Sequence, residues 1–338
     1  MNAADKQERK PSVQKGKKSL GKTILRIFYR TVIVVCVFCV SGCALGALWY
    51  RRALERGGYT ESWDEAEGRV LSGLSYGKSE ANRYDLYLHK SIDPEKAAPL
   101  LLLVHGGAWI EGSRGDMAYA CKYYGKNGCI TATMDYSLVS EDHPEVTIGT
   151  MLDEITACTV ALKKKLEEEG YHVSGMAIGG ISAGGHLSLL YAYSRAADSA
   201  IPLAFVFEKV GPVSFRKEFW GAKIAAMLVG GGTGKPISPE ELDTPEAKEA
   251  ADSLSPLHFI GAGSTPTIFA YGGKDDLVKP IHRDELAKAL EENHIPNIRI
   301  DFPNSNHAMW DDQDCMERFR EAVLEYCRQY LKLSQEQQ

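Results

Sequence analysis

The chain of 338 residues lacks the sequence patterns that hold metal ions or phosphate groups. It has no His-Glu-x-x-His pattern and no cysteine and histidine pairs at zinc-ligand spacing. The glycine-rich stretch 230–234 is not followed by a Lys-Ser or Lys-Thr pair and does not join a strand to a helix. We therefore interpret it as a loop and not as a phosphate cradle, and no metal site is predicted.

Cysteines are few and scattered. The sequence has eight, of which three fall in one apolar stretch, namely Cys36, Cys39 and Cys43, and five lie further on, namely Cys121, Cys129, Cys158, Cys315 and Cys327. Five cannot all pair, and their spacing gives no disulfide framework, so they do not indicate a redox compartment. The Cys-x-x-Cys pattern lies inside a membrane-length apolar segment, where packing against lipid or another helix is expected.

Positive charge is scarce outside the N-terminus. Residues 1–30 carry nine Lys and Arg against two Asp and Glu, whereas residues 57–338 carry 27 against 42. An acidic folded region has no basic face for phosphate backbones, which excludes nucleic acid as an expected partner.

A charge-free run of twenty residues, 31–50, follows the basic arm and is long enough to cross a bilayer as a helix. More basic residues precede the run than follow it, which favours a cytoplasmic N-terminus. We predict a basic cytoplasmic tail (1–30), a transmembrane signal-anchor (31–50) that contacts the lipid bilayer, a linker (51–68) and a folded domain (69–334) outside the cytosol at the cell membrane.

Two other interpretations of the N-terminus stay open. Residues 40–43, Val-Ser-Gly-Cys, resemble a bacterial lipoprotein cleavage box that would leave the protein anchored at Cys43. A removable signal peptide shares the same basic-then-apolar order and would yield a secreted protein. The long basic region and the apolar run beyond Cys43 favour the uncleaved anchor.

Strand-like apolar runs alternate with helical patterns along the rest of the chain. The predicted strands are 83–89, 100–104, 129–134, 172–178, 203–209, 267–271 and 298–302, and the predicted helices are 116–126, 147–169, 185–197, 282–293 and 312–331. This alternation predicts an α/β domain with a parallel sheet covered on both faces. Residues 215–255, rich in glycine and proline, predict an irregular insertion.

The stretch Gly-Ile-Ser-Ala-Gly at 180–184 follows an apolar run and leads directly into a helical pattern. A serine at a sharp turn between strand and helix has its hydroxyl lifted clear of the sheet, and glycines two positions to either side avoid a collision between the two elements. Gly180 and Gly184 meet that need. Ser182 is therefore the predicted nucleophile.

A serine nucleophile needs a base, an acid that orients the base, and donors for the developing oxyanion. The predicted strand 267–271 runs into Gly-Gly-Lys-Asp-Asp-Leu-Val at 272–278, which offers Asp275 and Asp276. The next predicted strand runs into His307, and of the nine histidines only this one follows a predicted strand beyond the aspartates.

Together these motifs resemble the α/β-hydrolase superfamily, and within it the esterase and lipase branch with His-Gly-Gly-x-Trp before the nucleophile, which includes carboxylesterases and aryl formamidases. The resemblance covers roughly residues 76–331. It rests on HGGAW at 105–109, DY at 135–136, GISAGGH at 180–186, SP at 255–256, GGKDDLV at 272–278 and NH at 306–307. It implies a mostly parallel central sheet with helices on both faces and a small irregular cap, here preceded by one transmembrane helix.

The resemblance also assigns roles. The catalytic residues are Ser182, His307 and the first aspartate of the Gly-x-x-Asp-x-x-Val pattern, which is Asp275 and not Asp276. The oxyanion-hole donors are the backbone N–H groups of Gly107, Ala108 and Ala183. Ala108 replaces the third glycine of the commoner His-Gly-Gly-Gly form.

Residues that bind substrate are less defined. Trp109, Tyr136 and Trp220 are candidates for lining the acyl or alcohol pocket, and aromatic residues in these positions serve equally well as core. His105 and His186 lie near the predicted site, where we expect them to brace their loops through hydrogen bonds.

The resemblance implies a serine esterase that cleaves carboxylic esters through an acyl-enzyme, with a small-molecule ester as substrate and no cofactor. The small insertion at 215–255 suggests a modest lid and hence short acyl chains. Two alternatives stay open. One is an amide or peptide hydrolase of the same fold, similar to aryl formamidases or prolyl peptidases, and the other is a membrane-tethered binding module without activity. The sequence does not indicate the natural substrate or the oligomeric state.

Overall fold

The computed structural model describes residues 60–140 and 142–334. The predicted basic tail, 1–30, and the predicted transmembrane segment, 31–50, lie outside these residues. In the part of the chain that is described, no helix combines the length and the apolar character needed to cross a bilayer.

Within the described residues, eight strands form one sheet. They are β1 (Gly68–Ser75), β2 (Arg83–His89), β3 (Ala98–Val104), β4 (Ile130–Met134), β5 (Val173–Ile181), β6 (Leu203–Lys209), β7 (Thr267–Gly272) and β8 (Asn297–Phe302). They lie side by side in the order β1-β2-β4-β3-β5-β6-β7-β8. β2 is antiparallel to β1 and β4, and every other neighbouring pair is parallel. The predicted mostly parallel sheet is confirmed.

Strand β3 is buried along its whole length. A strand covered on both faces cannot alternate polar and apolar side chains, which explains its unbroken run of leucines. Because β3 to β8 run parallel, their C-terminal ends meet at one edge of the sheet. The loops that carry the candidate catalytic residues all leave the sheet at this edge.

Helices connect the strands and cover the sheet. The described α-helices are α1 (Ala118–Lys126), α2 (Ile148–Glu168), α3 (Ala183–Ser194), α4 (Lys217–Trp220), α5 (Ala222–Thr233), α6 (Pro245–Ser253), α7 (Ile281–Glu292) and α8 (Gln313–Leu331). The five helices predicted from the sequence correspond to α1, α2, α3, α7 and α8, with ends shifted by three residues at most.

The edge strand β1 was not predicted from the sequence. It is half exposed, and its pairing with β2 is interrupted between Leu71 and Leu74, so it lacks a regular apolar alternation. The segment before it, which the sequence analysis assigned to the linker, packs on the sheet. The ring centres of Trp63 and Tyr87 lie 5.9 Å apart, and Lys126 Nζ pairs with the carboxylates of Glu61 and Glu67 at 2.9 Å each.

The cap, residues 215–255, corrects two predictions. It is not irregular, since α4, α5 and α6 occupy most of it, and the glycines at 230–232 lie inside α5 and not in a loop. A Cβ at Gly232 would lie 2.7 Å from the side chain of Leu254 and 3.2 Å from that of Ile148. A small residue is needed there for helix packing, and α5 ends at Thr233 with Gly234 as its C-cap, where φ is 69°.

Candidate active site

Ser182 lies at the turn between β5 and α3, in a backbone conformation that residues other than glycine rarely adopt. Its φ is 55° and its ψ is −120°. This strained turn projects the side chain away from the sheet. A hydrogen bond of 2.8 Å from its N–H to the carbonyl of Lys209 fixes the turn against β6.

The glycines on either side of Ser182 are required because three backbones approach closely. A Cβ at Gly180 would lie 2.4 Å from the carbonyl carbon of Gly184, and a Cβ at Gly184 would lie 2.1 Å from the carbonyl oxygen of Val104. Both distances are far inside van der Waals contact with main-chain atoms. The need for glycine at these two positions therefore has a direct packing cause.

The three residues proposed to act as nucleophile, base and acid come together at the edge of the sheet. His307 Nε2 lies 2.9 Å from Ser182 Oγ, and His307 Nδ1 lies 2.8 Å from Asp275 Oδ2. A carboxylate only accepts hydrogen bonds, so Nδ1 carries the proton that it donates to Asp275. Nε2 is then free to accept the hydroxyl proton of Ser182.

Asp275 and Asp276 have different surroundings. Asp275 is 2% exposed, and its Oδ1 accepts hydrogen bonds of 2.9 Å from the N–H groups of Leu277 and Val278. These contacts turn Oδ2 toward His307. Asp276 is exposed. The structure therefore brings Asp275, and not its neighbour, to the histidine.

The loop that carries His307 is tied to its surroundings by side chains that sequence reasoning did not single out. Ser305 Oγ donates a 2.7 Å hydrogen bond to Asp312 Oδ2, and the Asn304 N–H donates to the same oxygen at 2.9 Å. The N–H of Lys274, next to Asp275, donates to the Ser305 carbonyl at 3.0 Å. The loops of the acid and the base are thus held together independently of His307.

The glycine-rich loop after β3 approaches the nucleophile. A Cβ at Gly106 would lie 3.4 Å from Ser182 Cβ. The next three residues all have positive φ, with 109° at Gly107, 50° at Ala108 and 63° at Trp109. Two of these are not glycine, so the loop holds a strained conformation beside the serine hydroxyl.

Within the described residues, the predicted oxyanion donors have no backbone acceptor. The N–H groups of Gly107 and Ala108 make no hydrogen bond to the described backbone, and Ala183 is the first residue of α3, where an N–H has no acceptor within the helix. The start of the helix adds partial positive charge there. The structure places all three donors on the two turns that meet at Ser182.

His105 and Tyr136 brace the glycine-rich loop from below. Their rings are stacked, with centres 4.2 Å apart and 9° between the planes. His105 Nδ1 donates a 2.7 Å hydrogen bond to the Gly106 carbonyl, and the Tyr136 hydroxyl donates one of 3.1 Å to the His105 carbonyl. Burial lowers the pKa of His105, which keeps the ring neutral.

Trp109 and His186 connect the same loop to the cap. The indole Nε1 of Trp109 donates to His186 Nδ1 at 3.2 Å, and His186 Nε2 donates to the Leu254 carbonyl at 2.8 Å. Burial lowers the pKa of His186 to about 4, so the ring is neutral with its proton on Nε2. The predicted bracing role of both histidines matches these contacts.

The three aromatic residues predicted to bind substrate differ in placement. Trp109 is 8% and Tyr136 1% exposed, and their polar atoms bond within the protein, so both residues support the loop and their contact with substrate stays a prediction. Trp220 is half-buried in α4, where its indole donates to the Ser214 carbonyl at 2.7 Å and its ring meets His282 at 4.9 Å. Its contact with substrate stays a prediction.

Two charged residues at the end of β6 were missed. Lys209 supplies the carbonyl that holds Ser182, and its buried side chain lies 5.8 Å from the centre of the Tyr119 ring. Burial lowers the pKa of Lys209 to about 7 and raises that of Glu208 well above its usual range. The available signal was a Glu-Lys pair at the end of an otherwise apolar strand.

Among the residues described, no group of three or more His, Cys, Asp or Glu side chains is placed to hold a metal ion.

Comparison with known proteins adds the family. The model of the BD-FAE family matches residues 84–290, which is more than half of the chain. The chain belongs to the BD-FAE family. The matched region runs from β2 into α7 and includes Ser182 and Asp275, while His307 lies beyond it.

Two curated relatives of this BD-FAE protein are similar over shorter stretches. Esterase LipC from Mycobacterium tuberculosis is 34% identical over 146 residues, 43% of this chain and 31% of LipC. Kynurenine formamidase from Danio rerio is 25% identical over 122 residues, 36% of this chain and 38% of the formamidase. The chain thus spans about a third of the length of these relatives.

A solved structure confirms the fold. The esterase B of Lactobacillus rhamnosis, with a tributyrin phosphonate inhibitor, has a TM-score of 0.67 at 19% identity, covering 89% of this chain and 94% of esterase B. The predicted α/β-hydrolase fold and the resemblance to its esterase and lipase branch are both confirmed.

Proposed function

We propose that this domain hydrolyses carboxylic esters by transferring the acyl group to Ser182. The observation that carries the proposal is the pair of hydrogen bonds on His307, 2.9 Å to the Ser182 hydroxyl and 2.8 Å to the buried Asp275. Membership of the BD-FAE family and the similarity to esterase LipC support an ester as the substrate.

In the first half of the reaction, Ser182 Oγ attacks the ester carbonyl carbon while its proton passes to His307 Nε2. Asp275 holds the imidazole in the tautomer that can accept this proton and stabilises the imidazolium that forms. The carbonyl oxygen becomes an oxyanion facing the N–H groups of Gly107, Ala108 and Ala183. The alcohol then leaves with the proton from His307, which gives the acyl-enzyme.

In the second half, water takes the place of the alcohol. Its proton passes to His307 Nε2 as its oxygen attacks the acyl carbon, and the carboxylic acid leaves as Ser182 regains its proton. Every proton in this cycle moves among Ser182, His307, water and the substrate.

Short acyl chains are the proposed substrate class. The cap is small, with helices of 4, 12 and 9 residues. Such a cap favours soluble esters over long lipid chains, because it offers little apolar surface for an extended acyl chain.

The test is hydrolysis of p-nitrophenyl acetate, butyrate and octanoate by the full chain beside Ser182→Ala. We expect the highest kcat/KM for acetate or butyrate, and a loss on the order of 10⁴-fold or more in the variant. Equal activity of the two proteins would contradict the proposal, as would an inactive wild-type protein, which would favour a binding module.

Amide hydrolysis is a second candidate, favoured by the similarity to kynurenine formamidase. An amine is a poorer leaving group than an alcohol and needs fuller protonation by His307. Comparing N-formylkynurenine with p-nitrophenyl acetate separates the two. A higher kcat/KM for the amide would replace the ester in the proposal.

We also propose that residues 31–50 anchor the protein in the cell membrane, with the catalytic domain outside the cytosol. The charge-free run and the basic arm before it support this placement. Protease treatment of intact cells should digest the domain, and the mass of the N-terminus separates an uncleaved anchor from a lipid on Cys43 or a secreted form. A domain that is protected in intact cells and digested after lysis would contradict it.

A further inference from the structure

The end of β6 carries a carboxyl group that the catalytic cycle does not use. Glu208 is 0% exposed, and its Oε2 accepts a 2.6 Å hydrogen bond from the N–H of Gly211. Its other oxygen, Oε1, has no hydrogen-bond partner among the described residues. An ionised carboxylate buried with so few donors is strongly unfavourable, whereas a neutral acid is not.

The hydroxyl of Tyr271, on β7, lies beside the same carboxyl. It donates a 2.5 Å hydrogen bond to the Gly211 carbonyl, so its single proton is already in use. Among the described residues, the Gly211 N–H is thus the donor that Glu208 has, which is too little to hold an ionised carboxylate.

Glu208 fills the space between the turn after β6 and the start of α3. A Cβ at Gly185, in the first turn of α3, would lie 3.1 Å from Oε2, and a Cβ at Gly211 would lie 2.8 Å from it. The residue next to Glu208 is Lys209, whose carbonyl accepts the 2.8 Å hydrogen bond from the Ser182 N–H. The carboxyl thus supports the main-chain contact that fixes the nucleophile.

We propose that Glu208 is a positioning residue whose carboxyl group, held in the protonated form, keeps the turn after β6 against α3 and thereby fixes the backbone of Ser182, so that its ionisation sets the alkaline limit of activity. This inference rests on the proposed role of Ser182. It does not depend on which ester is the substrate.

The sign of the pH effect follows from the burial of Glu208, which raises its pKa well above the usual range. Between the ordinary pKa of an unfolded glutamate and this raised value, the folded state holds a proton that the unfolded chain has lost. Stability therefore falls as pH rises through that window. The titratable groups that face Glu208 are Tyr271 and, from α3, Tyr193, whose hydroxyl bonds Thr267 at 2.7 Å.

The first experiment measures the Tm of the full chain from pH 5 to pH 9 for wild type, Glu208→Gln and the matched control Glu291→Gln. The amide introduced by Glu208→Gln would keep an acceptor for the Gly211 N–H and cannot ionise. We expect Glu208→Gln to match wild type near pH 5 and to exceed it progressively toward pH 9. The exposed Glu291 should leave the slope unchanged.

The second experiment measures Ser182 itself. In wild type, kcat for p-nitrophenyl butyrate and the rate of Ser182 labelling by a fluorophosphonate should both fall about tenfold per pH unit above the ionisation of Glu208, with KM nearly constant. In Glu208→Gln, kcat and the rate of labelling should not fall at alkaline pH, and in Glu208→Ala both should be lower than in wild type at every pH.

A Tm slope in Glu208→Gln equal to that of wild type would overturn the protonated state. A changed slope of Tm against pH in Glu208→Gln, with activity that still falls above the same pH as in wild type, would overturn the positioning role. If no ester is hydrolysed while the rate of Ser182 labelling still falls above the ionisation of Glu208, the proposed function fails and this inference stands. Infrared spectra of wild type at neutral pH give a check without variants, since the carbonyl band of a protonated carboxyl group must be present and its absence contradicts the proposal.

Discussion

Two regions of the molecule differ in how well their structure can be predicted from the sequence. One is the catalytic rim, which consists of residues 105–109, 180–186, 272–278 and 303–307. The other is the cap, residues 215–255. The rim consists of four short turns at strand ends, and three of these turns carry glycines within a short motif that the sequence displays. The cap consists of three helices whose glycines and prolines suggest a loop until their packing partners are known. Turn chemistry is local, whereas the packing of a cap is not.

The two regions meet at one hydrogen-bonded chain. Trp109 of the rim donates to His186, and His186 donates to the carbonyl of Leu254 in the cap. Phe215 packs against both rings, at 5.6 Å and 4.9 Å. The strained oxyanion loop therefore depends on the cap for part of its support.

The largest effect expected lies within the rim, between adjacent aspartates. Asp275→Asn should lower kcat for p-nitrophenyl acetate by about 10⁴-fold, because an amide at this position can donate to Nδ1 and favours the wrong tautomer of His307. Asp276→Asn is the matched control and should stay within about twofold of wild type, because Asp276 is exposed. Equal losses in both variants would contradict the assignment of the acid.

The junction between rim and cap should give the next largest effect. Trp109→Phe keeps an aromatic side chain but removes the donor to His186 Nδ1, and leaving that buried acceptor unpaired costs about 1–3 kcal/mol of stability. Because the oxyanion loop loses support, kcat should fall as well. Trp220→Phe removes a comparable bond from the cap to Ser214, so it should lower stability in urea unfolding while kcat falls less than in Trp109→Phe.

Acid should weaken the same junction. Burial lowers the pKa of His186 to about 4 and that of His282 to about 3, while an unfolded histidine titrates near 6.5. The unfolded chain therefore takes up protons below pH 6.5 that the folded state does not, and the free energy of unfolding falls as pH drops toward 4, by about 1.4 kcal/mol per pH unit for each histidine.

Urea unfolding at pH 7, 6 and 5 measures this slope. His282→Asn retains an acceptor for the Val213 N–H, which now bonds Nδ1 at 3.1 Å, and removes one titrating group, so its slope should be shallower. His143→Gln changes an exposed histidine and should keep the wild-type slope. Identical slopes in all three proteins would show that these rings do not titrate as described.

The smallest effect distinguishes two glycines of the cap. In α5, a Cβ at Gly230 has 3.4 Å to its nearest neighbour, whereas one at Gly232 would collide with Leu254 at 2.7 Å. Gly230→Ala should raise the free energy of unfolding by about 0.5–1 kcal/mol through helix propensity, and Gly232→Ala should not. An equal gain in both variants would remove the packing explanation for Gly232.

Sequence reasoning located the sheet and the rim because both depend on local patterns. The apolar runs of β2 to β7 mark buried strands, an apolar alternation marks β8, and the elbow at Ser182 is marked by Gly180 and Gly184, whose Cβ positions are blocked by main-chain atoms. The loop after β3 was located by its motif, although its three positive φ values could not be predicted.

What the sequence did not reveal depends on contacts between distant segments. The edge strand β1 is half exposed and broken by a register shift, so no apolar alternation marks it. The burial of Tyr136 beneath the rim follows from its packing on His105, and that of Glu208 behind it from the packing of β6 against α3. Aromatic and acidic residues of this kind have the same local signature whether they bind substrate or support a loop.

The most direct test of the central claim, that Ser182 is a nucleophile activated by His307, is the stoichiometry of fluorophosphonate labelling measured by mass spectrometry of the intact chain. We expect one label per chain on Ser182 in wild type, none in Ser182→Ala, and labelling slowed by orders of magnitude in His307→Ala. Labelling that persists in Ser182→Ala, or wild-type protein that takes up no label, would contradict it.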